Sequence, residues 1–184
     1  MIGSLHEKVD SVRILSYDGK TPKIGENVLI APGVKIIGDV EIGNNSSIWF
    51  NSVLRGDINY IKIGTFTNIQ DSSVIHLTKE QPVNIGNYVT VGHAVKLHAC
   101  TLKDYTLIGI GSIILDNAVV SEYSFIAAGS LILQKTVVPS GKLVAGVPGK
   151  IVRDLRNDEI ESIKQSAFSY YKYAEQMMIS LNKS

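Results

Sequence analysis

The chain of 184 residues has the length of one ordinary domain, enough to bury a core but short for two. Its 18 basic and 17 acidic residues leave a formal charge of +1, without the basic stripe that marks a nucleic-acid binder. The opening segment Met1–Lys8 lacks the apolar core of a signal peptide, no apolar run approaches the ~20 residues that span a bilayer, and the single cysteine, Cys100, excludes an intrachain disulfide framework. A cytoplasmic protein is expected, with no membrane and no nucleic-acid partner.

From residue 24 onward, an aliphatic residue recurs at steps of six. The series runs Ile24, Ile30, Ile36, Ile42, Ile48, Leu54, then Ile63, Ile69, Ile75, then Ile85, Val91, Leu97. It resumes one residue early at Leu102 and continues through Ile108, Ile114, Val120, Ile126, Ile132 and Val138. From Ile30 onward, two residues before each lies a small or β-branched residue, such as Val34, Val40, Ser46, Ser52, Thr67, Ser73, Val95, Cys100 or Ser112. Two inward positions per hexapeptide fit period-two alternation along a strand, whereas six-residue steps drift around a helix of 3.6 residues per turn. The pattern predicts a parallel β-helix. If three hexapeptides close each coil, the prism has about six coils, each ~4.8 Å above the last. Glycine follows the aliphatic residue at Gly25, Gly43, Gly64, Gly86, Gly92 and Gly109, where a bend would exclude a side chain or require positive φ.

After Val138 the repeat is expected to end in a turn-rich stretch, Pro139-Ser140-Gly141 and Gly146-Val147-Pro148-Gly149. A C-terminal α-helix follows, capped by Asn157 or Asp158. Glu159 and Glu161 suit its positive end, and Ile160, Ile163, Ala167, Tyr170, Ala174 and Met178 form one stripe for packing along the prism. The division is residues 1–155 for the repeat with its N-terminal segment and 156–184 for the helix, together one structural domain.

Labelling the prism faces in turn from Ile24 on face B puts Leu54, Ile75 and Leu97 on face A and Ile69 and Val91 on face C. His76 and His98 each follow a face-A residue by one position, so they stack outward one coil apart, with Arg55 at the same offset a coil earlier. Asp71 and His93 each sit two positions after a face-C residue and form a second outward column, with Gln70 beside Asp71. Three of the chain's four histidines thus fall between residues 76 and 98. Three imidazoles with one open position are what a catalytic zinc site requires, and they suit Fe2+ or Co2+ as well. His93 lies around a corner from the other two, so one subunit cannot close the site. A cyclic oligomer in which His76 and His98 of one chain meet His93 of the next is the simplest remedy. His6 is an ordinary surface residue, and Cys100, at an inward position, is a buried thiol rather than a ligand.

The motifs Arg55-Gly56-Asp57, Thr67-Asn68-Ile69-Gln70-Asp71, Val74-Ile75-His76, Val91-Gly92-His93 and Leu97-His98-Ala99-Cys100 resemble the γ class of carbonic anhydrases, within the hexapeptide-repeat superfamily. The resemblance covers the chain from about residue 10 through the C-terminal helix. It implies a triangular, left-handed parallel β-helix, mainly β with a C-terminal helix, in a homotrimer with zinc at each subunit interface. His76, His93 and His98 would be the ligands, and Gln70 with Asn68 would position the nucleophile or bicarbonate. Arg55, Asp57 and Asp71 would form an interfacial network. The implied reaction is hydration of carbon dioxide by metal-activated water. The best-characterised type of this family carries a glutamate directly after the Arg-Gly-Asp motif and a long acidic loop after the first histidine. This chain has Ile58 and a short Leu77–Asn84 stretch whose sole carboxylate is Glu80, so slow proton transfer and low activity are expected. Glu80 and Tyr170 are the substitute shuttles to test. Two other readings keep the fold: a hexapeptide acyltransferase, whose usual feature is a histidine general base, and a non-catalytic metal-binding or assembly protein, as relatives labelled ferripyochelin-binding proteins suggest.

Overall fold

The computed structural model describes residues 13–182; the N-terminal segment with His6 lies outside them. Each aliphatic residue of the repeat pairs with the one a full turn away. On face A the register runs Ile14↔Ile36↔Leu54↔Ile75↔Leu97↔Ile114↔Ile132. Face B runs Ile24↔Ile42↔Ile63↔Ile85↔Leu102↔Val120↔Val138. Face C runs Ile30↔Ile48↔Ile69↔Val91↔Ile108↔Ile126↔Val144. The result is a left-handed parallel β-helix of about seven turns, one more than the aliphatic series predicts. Arg13–Leu15 adds a rung below it. Lys142–Gly146 adds one above, with Val144 keeping the six-residue step.

The repeat therefore does not end at Val138. The turn-rich stretch after it holds the last face-C strand and an antiparallel return, Gly149–Asp154. Turn residues hid that hairpin from a reading tuned to hexapeptides.

From Ile36 onward the aliphatic stack is closed to solvent, with Ile36, Ile48, Leu54, Ile69 and Ile75 all fully buried. Most of the serines and threonines two positions earlier are buried too, and several of their hydroxyls bond the next coil. Ser46 Oγ donates to the Gly64 carbonyl (2.8 Å), Ser52 to Gln70 (2.9 Å) and Thr67 to Gly86 (2.7 Å). A small side chain fits the inner corner, and its hydroxyl is satisfied by a carbonyl rather than left as a cost of burial.

The glycines that directly follow the aliphatic residues are needed for closeness rather than for handedness. A Cβ on Gly64 would lie 2.6 Å from the Gly86 carbonyl oxygen. On the bend after face B the positive φ angles fall three residues past the aliphatic residue instead, at Asn27, Asn45, Phe66, Tyr88, Tyr105 and Tyr123. The last four stack their rings nearly parallel with centroids 5.1, 4.9 and 5.1 Å apart. Stacking at about 0.5–1.5 kcal/mol per pair offsets a left-handed backbone that costs an L-residue roughly 1–2 kcal/mol.

The C-terminal helix, Asn157–Leu181, lies along face C and runs back toward the first coils. Ile163, Ala167 and Ala174 are its buried residues. Ser166 Oγ meets Thr90 Oγ1 at 3.2 Å, and Tyr170 sits edge-on to Trp49 with centroids 5.6 Å apart. The cap is one residue earlier than expected. Arg156 is the N-cap, and its backbone N–H donates to Glu159 (2.9 Å). Glu159 also accepts a forked pair of bonds from Arg153 at 2.7 and 2.8 Å.

Two outcomes follow from this packing. Gly64→Ala should destabilise the protein by roughly 1–3 kcal/mol through overpacking against the next coil, measured as a lowered urea midpoint; an unchanged midpoint would show that the coils can part there. The second concerns pH. The Arg153 fork and the Arg156 N–H hold the Glu159 carboxyl down at about 2, below the usual ~4.3 of a free glutamate. Its contribution is complete above the unfolded value and is lost as pH falls from there toward about 2. Glu159→Gln should lower the thermal midpoint at pH 7 and shrink the difference between pH 7 and pH 3, as followed by circular dichroism.

Candidate metal centre

Register places the histidines. His76 and His98 are paired residues of adjacent strands, Val74–His76 and Lys96–His98, so both point outward from face A one coil apart. Both insertions into the repeat, after Leu54 and after Ile75, widen the A-to-B corner beside them. The first makes Val53–Ile63 a continuous strand that carries Arg55 and Asp57 alongside.

His76 Nδ1 and His98 Nε2 lie 3.2 Å apart. Two nitrogens bound to one tetrahedral zinc at about 2.0–2.1 Å would stand about 3.3–3.4 Å from one another, so this pair fits two corners of such a site. The far nitrogen of each ring meets a carboxylate: His76 Nε2 lies 3.1 Å from Asp57 Oδ1, and His98 Nδ1 lies 2.5 Å from Asp116 Oδ1. Arg55 pairs with Asp57. Burial works to raise the Asp57 carboxyl, but the hydrogen bonds from Arg55 and His76 outweigh it and hold the group below the usual carboxylate range. Burial, helped by the Arg55 charge, lowers His76 despite its bond to Asp57. That favours the neutral imidazole, the form that binds a metal.

Around the corner, His93 Nδ1 bonds Asp71 Oδ2 at 2.7 Å. Among the described residues no three His, Cys, Asp or Glu side chains of one chain converge on a metal position. His93 belongs to the second column, and Asp71 with it; within one chain Asp71 does not join Arg55 and Asp57. Gln70 and Asn68, buried on face C, form a chain in which Gln70 Nε2 donates to Asn68 Oδ1 (3.0 Å) and Asn68 Nδ2 donates to Thr90 Oγ1 (3.0 Å). Thr90 links this to Ser166 of the helix.

A cleft of about 460 Å3 opens beside His93 and Asp71, walled by Trp49, Phe50, Tyr170, Tyr173 and Met177. Burial and then the Asp71 charge raise the Tyr170 phenol, so it stays protonated near neutrality. Cys100 is fully buried, and its thiol is pushed up to about 12 by that burial.

Chains of known kind resemble this one in sequence and fold. Residues 21–56 match the model of the bacterial transferase hexapeptide (six repeats). A protein of Methanocaldococcus jannaschii named "Probable carbonic anhydrase" is 51% identical over 83% of this chain and 96% of its own. Gamma carbonic anhydrase 1, mitochondrial, of Arabidopsis thaliana is 43% identical over 88% of this chain, which spans 61% of that longer protein. This chain belongs to the γ-carbonic anhydrase family. The solved hexapeptide transferase family protein of Anaplasma phagocytophilum superposes with a TM-score of 0.86 at 43% identity, covering 89% of this chain and 97% of that one. AntD, an N-acyltransferase from Bacillus cereus, is 18% identical with a TM-score of 0.65 and shares the fold alone.

Within this γ-carbonic anhydrase homologue, three residues of the polar network escape a reading by motif: Asp116, Thr90 and Ser166. Asp116 sits one coil beyond His98 in a stretch with no signature, and the Thr90–Ser166 bond joins residues 76 positions apart. Only the stacking of coils and the docking of the helix bring them in. Ile58, the position that lacks a carboxylate, is 51% exposed beside Asp57, and Glu80 lies in an exposed loop. Among the described residues, no helix is long and apolar enough to cross a membrane.

Proposed function

We propose that this chain is a zinc-dependent carbonic anhydrase that interconverts carbon dioxide and bicarbonate as a homotrimer, with His76 and His98 of one chain and His93 of its neighbour as ligands. The observation that carries this is the 3.2 Å approach of His76 Nδ1 to His98 Nε2, with carboxylates on the opposite nitrogens. Iron(II) or cobalt(II) would suit the same imidazoles. A bound zinc supplies the acidity that makes water a nucleophile near neutral pH.

The chain's own groups do the rest. Asp57, Asp71 and Asp116 hold the three rings by their outer nitrogens. Gln70 keeps its amide oxygen for the nucleophile while its nitrogen is held by Asn68, which fixes the direction of attack. Arg55 of one chain, already paired with Asp57, reaches toward Asp71 of the next and ties the interface together. The aromatic cleft beside His93 offers apolar carbon dioxide an approach. A reducing compartment such as the cytoplasm suits a chain whose one cysteine is a buried thiol.

Hydration adds water's oxygen to carbon and releases a proton, which must leave the site before the next cycle. The carboxylates that touch the histidines are all committed as acceptors, the Tyr170 phenol is a poor proton acceptor, and position 58 is isoleucine. Turnover is therefore limited by proton exit.

Two measurements test this reading. His93→Ala and His98→Ala should each abolish zinc retention, and mixing them under subunit exchange should restore a fraction of the sites. Each mixed trimer can pair an intact His93 from one variant with intact His76 and His98 from the other. Mixed trimers without zinc or activity would remove the shared site, as would a monomer in sedimentation that keeps stoichiometric zinc. Turnover at saturating carbon dioxide should also rise with imidazole buffer, and Ile58→Glu, placing a carboxylate at an exposed position beside Asp57, should reduce that dependence. Rates already high and flat across buffer concentration would mean that another shuttle operates. Full zinc occupancy with no hydration at any buffer concentration would leave a metal-binding protein without catalysis.

A further inference from the structure

The imidazole pair on face A is closed by a carboxylate at each end. Asp57 meets His76 Nε2 at 3.1 Å, and Asp116 meets His98 Nδ1 at 2.5 Å. Asp116 stands 18 residues beyond His98 and one coil on, so four side chains rise along one edge in the order carboxylate, imidazole, imidazole, carboxylate. An ionised carboxylate only accepts hydrogen bonds. Each contact therefore places the ring proton on the outer nitrogen. The inner nitrogens, His76 Nδ1 and His98 Nε2, are then both lone pairs facing one gap across 3.2 Å. Two neutral rings so arranged cannot hydrogen-bond to each other, whereas a shared cation satisfies both.

We propose that Asp116 is a positioning residue for the metal centre: it sets the tautomer of His98 and aims its Nε2 at the gap, as Asp57 does for His76 and Asp71 for His93. Asp116 itself touches no metal. Its backbone is well held, its carbonyl accepting the Lys135 N–H at 2.9 Å and the next residue, Asn117, donating to the Ala99 carbonyl at 2.8 Å. The two side chains are partly shielded, with His98 37% and Asp116 23% exposed, which strengthens a charge-assisted bond relative to the open surface. Among the described residues, the Asp116 carboxylate is what selects the Nδ1–H form at that end of the ring. The alternative tautomer carries its proton on Nε2, where the metal must bind.

This inference rests on the zinc reading, and its test separates the two. Full-length protein, stripped of metal by a chelator and labelled with 15N, is examined by long-range 1H–15N NMR of the His98 ring in mildly alkaline buffer. The same samples are titrated with zinc against a chromophoric chelator. The wild type should carry its His98 proton on Nδ1. Asp116→Ala should shift it toward Nε2 and weaken zinc binding by about 10–100-fold, the usual cost of losing a partner behind a ligand. Asp116→Asn keeps the size of the side chain and a carbonyl oxygen for the N–H, so it should fold in any case and fall between the two. Wild type that binds zinc tightly, with both variants unchanged in tautomer and affinity, would overturn the positioning role. Wild type that takes up no zinc would overturn the zinc reading instead, while the ring signals would still decide whether Asp116 governs His98.

Discussion

Every feature of this protein depends on the register of one coil over the next. Parallel strands about 4.8 Å apart bring each aliphatic residue onto its counterpart a turn away, and that stack, once closed, leaves no freedom in which outward residues share an edge. His76 lies over His98 because Ile75 lies over Leu97. The bends obey the same spacing. Gly64 is excluded from carrying a side chain by the Gly86 carbonyl, and the strained backbone of Phe66, Tyr88, Tyr105 and Tyr123 is offset by the stacking of their rings. Where the six-residue period is broken, at the insertions after Leu54 and Ile75, the extra chain is pushed to one corner. That corner holds Asp57 and His76.

The candidate ligands are placed by the same rule applied on two edges. One edge gives a pair of imidazoles with their inner nitrogens converging; the other gives a single imidazole with Asp71 behind it. In each case a carboxylate meets one ring nitrogen and leaves the other without it, which is how proteins commonly orient metal-binding histidines. Face C adds an amide and hydroxyl chain from Gln70 to Ser166, anchored under the helix. The helix therefore does more than cover apolar surface, since its docking completes the polar chain behind the second edge.

Membership of the γ-carbonic anhydrase family rests on identity across 83% of the chain or more. The likeness to AntD shows what fold alone conveys, because the same β-helix there belongs to an N-acyltransferase. In this chain the edges of the β-helix carry histidines backed by carboxylates.

The sequence by itself determined the β-helix, the assignment of Leu54, Ile75 and Leu97 to one face, the pairing of His76 with His98 and of Asp71 with His93, and the burial of Cys100. It could do so because the repeat is local arithmetic: a residue's face follows from its position modulo the period. The same arithmetic failed where the period is hidden by turn residues, so the rung at Val144 and the hairpin ending at Asp154 went unread, as did the cap at Arg156. Only the tertiary structure decided which outward groups touch. Asp116 meets His98 across coils, and Thr90 meets Ser166 across 76 positions. No motif spans such distances, because side-chain contacts between coils and between prism and helix depend on rotamer and docking, which a linear pattern does not encode.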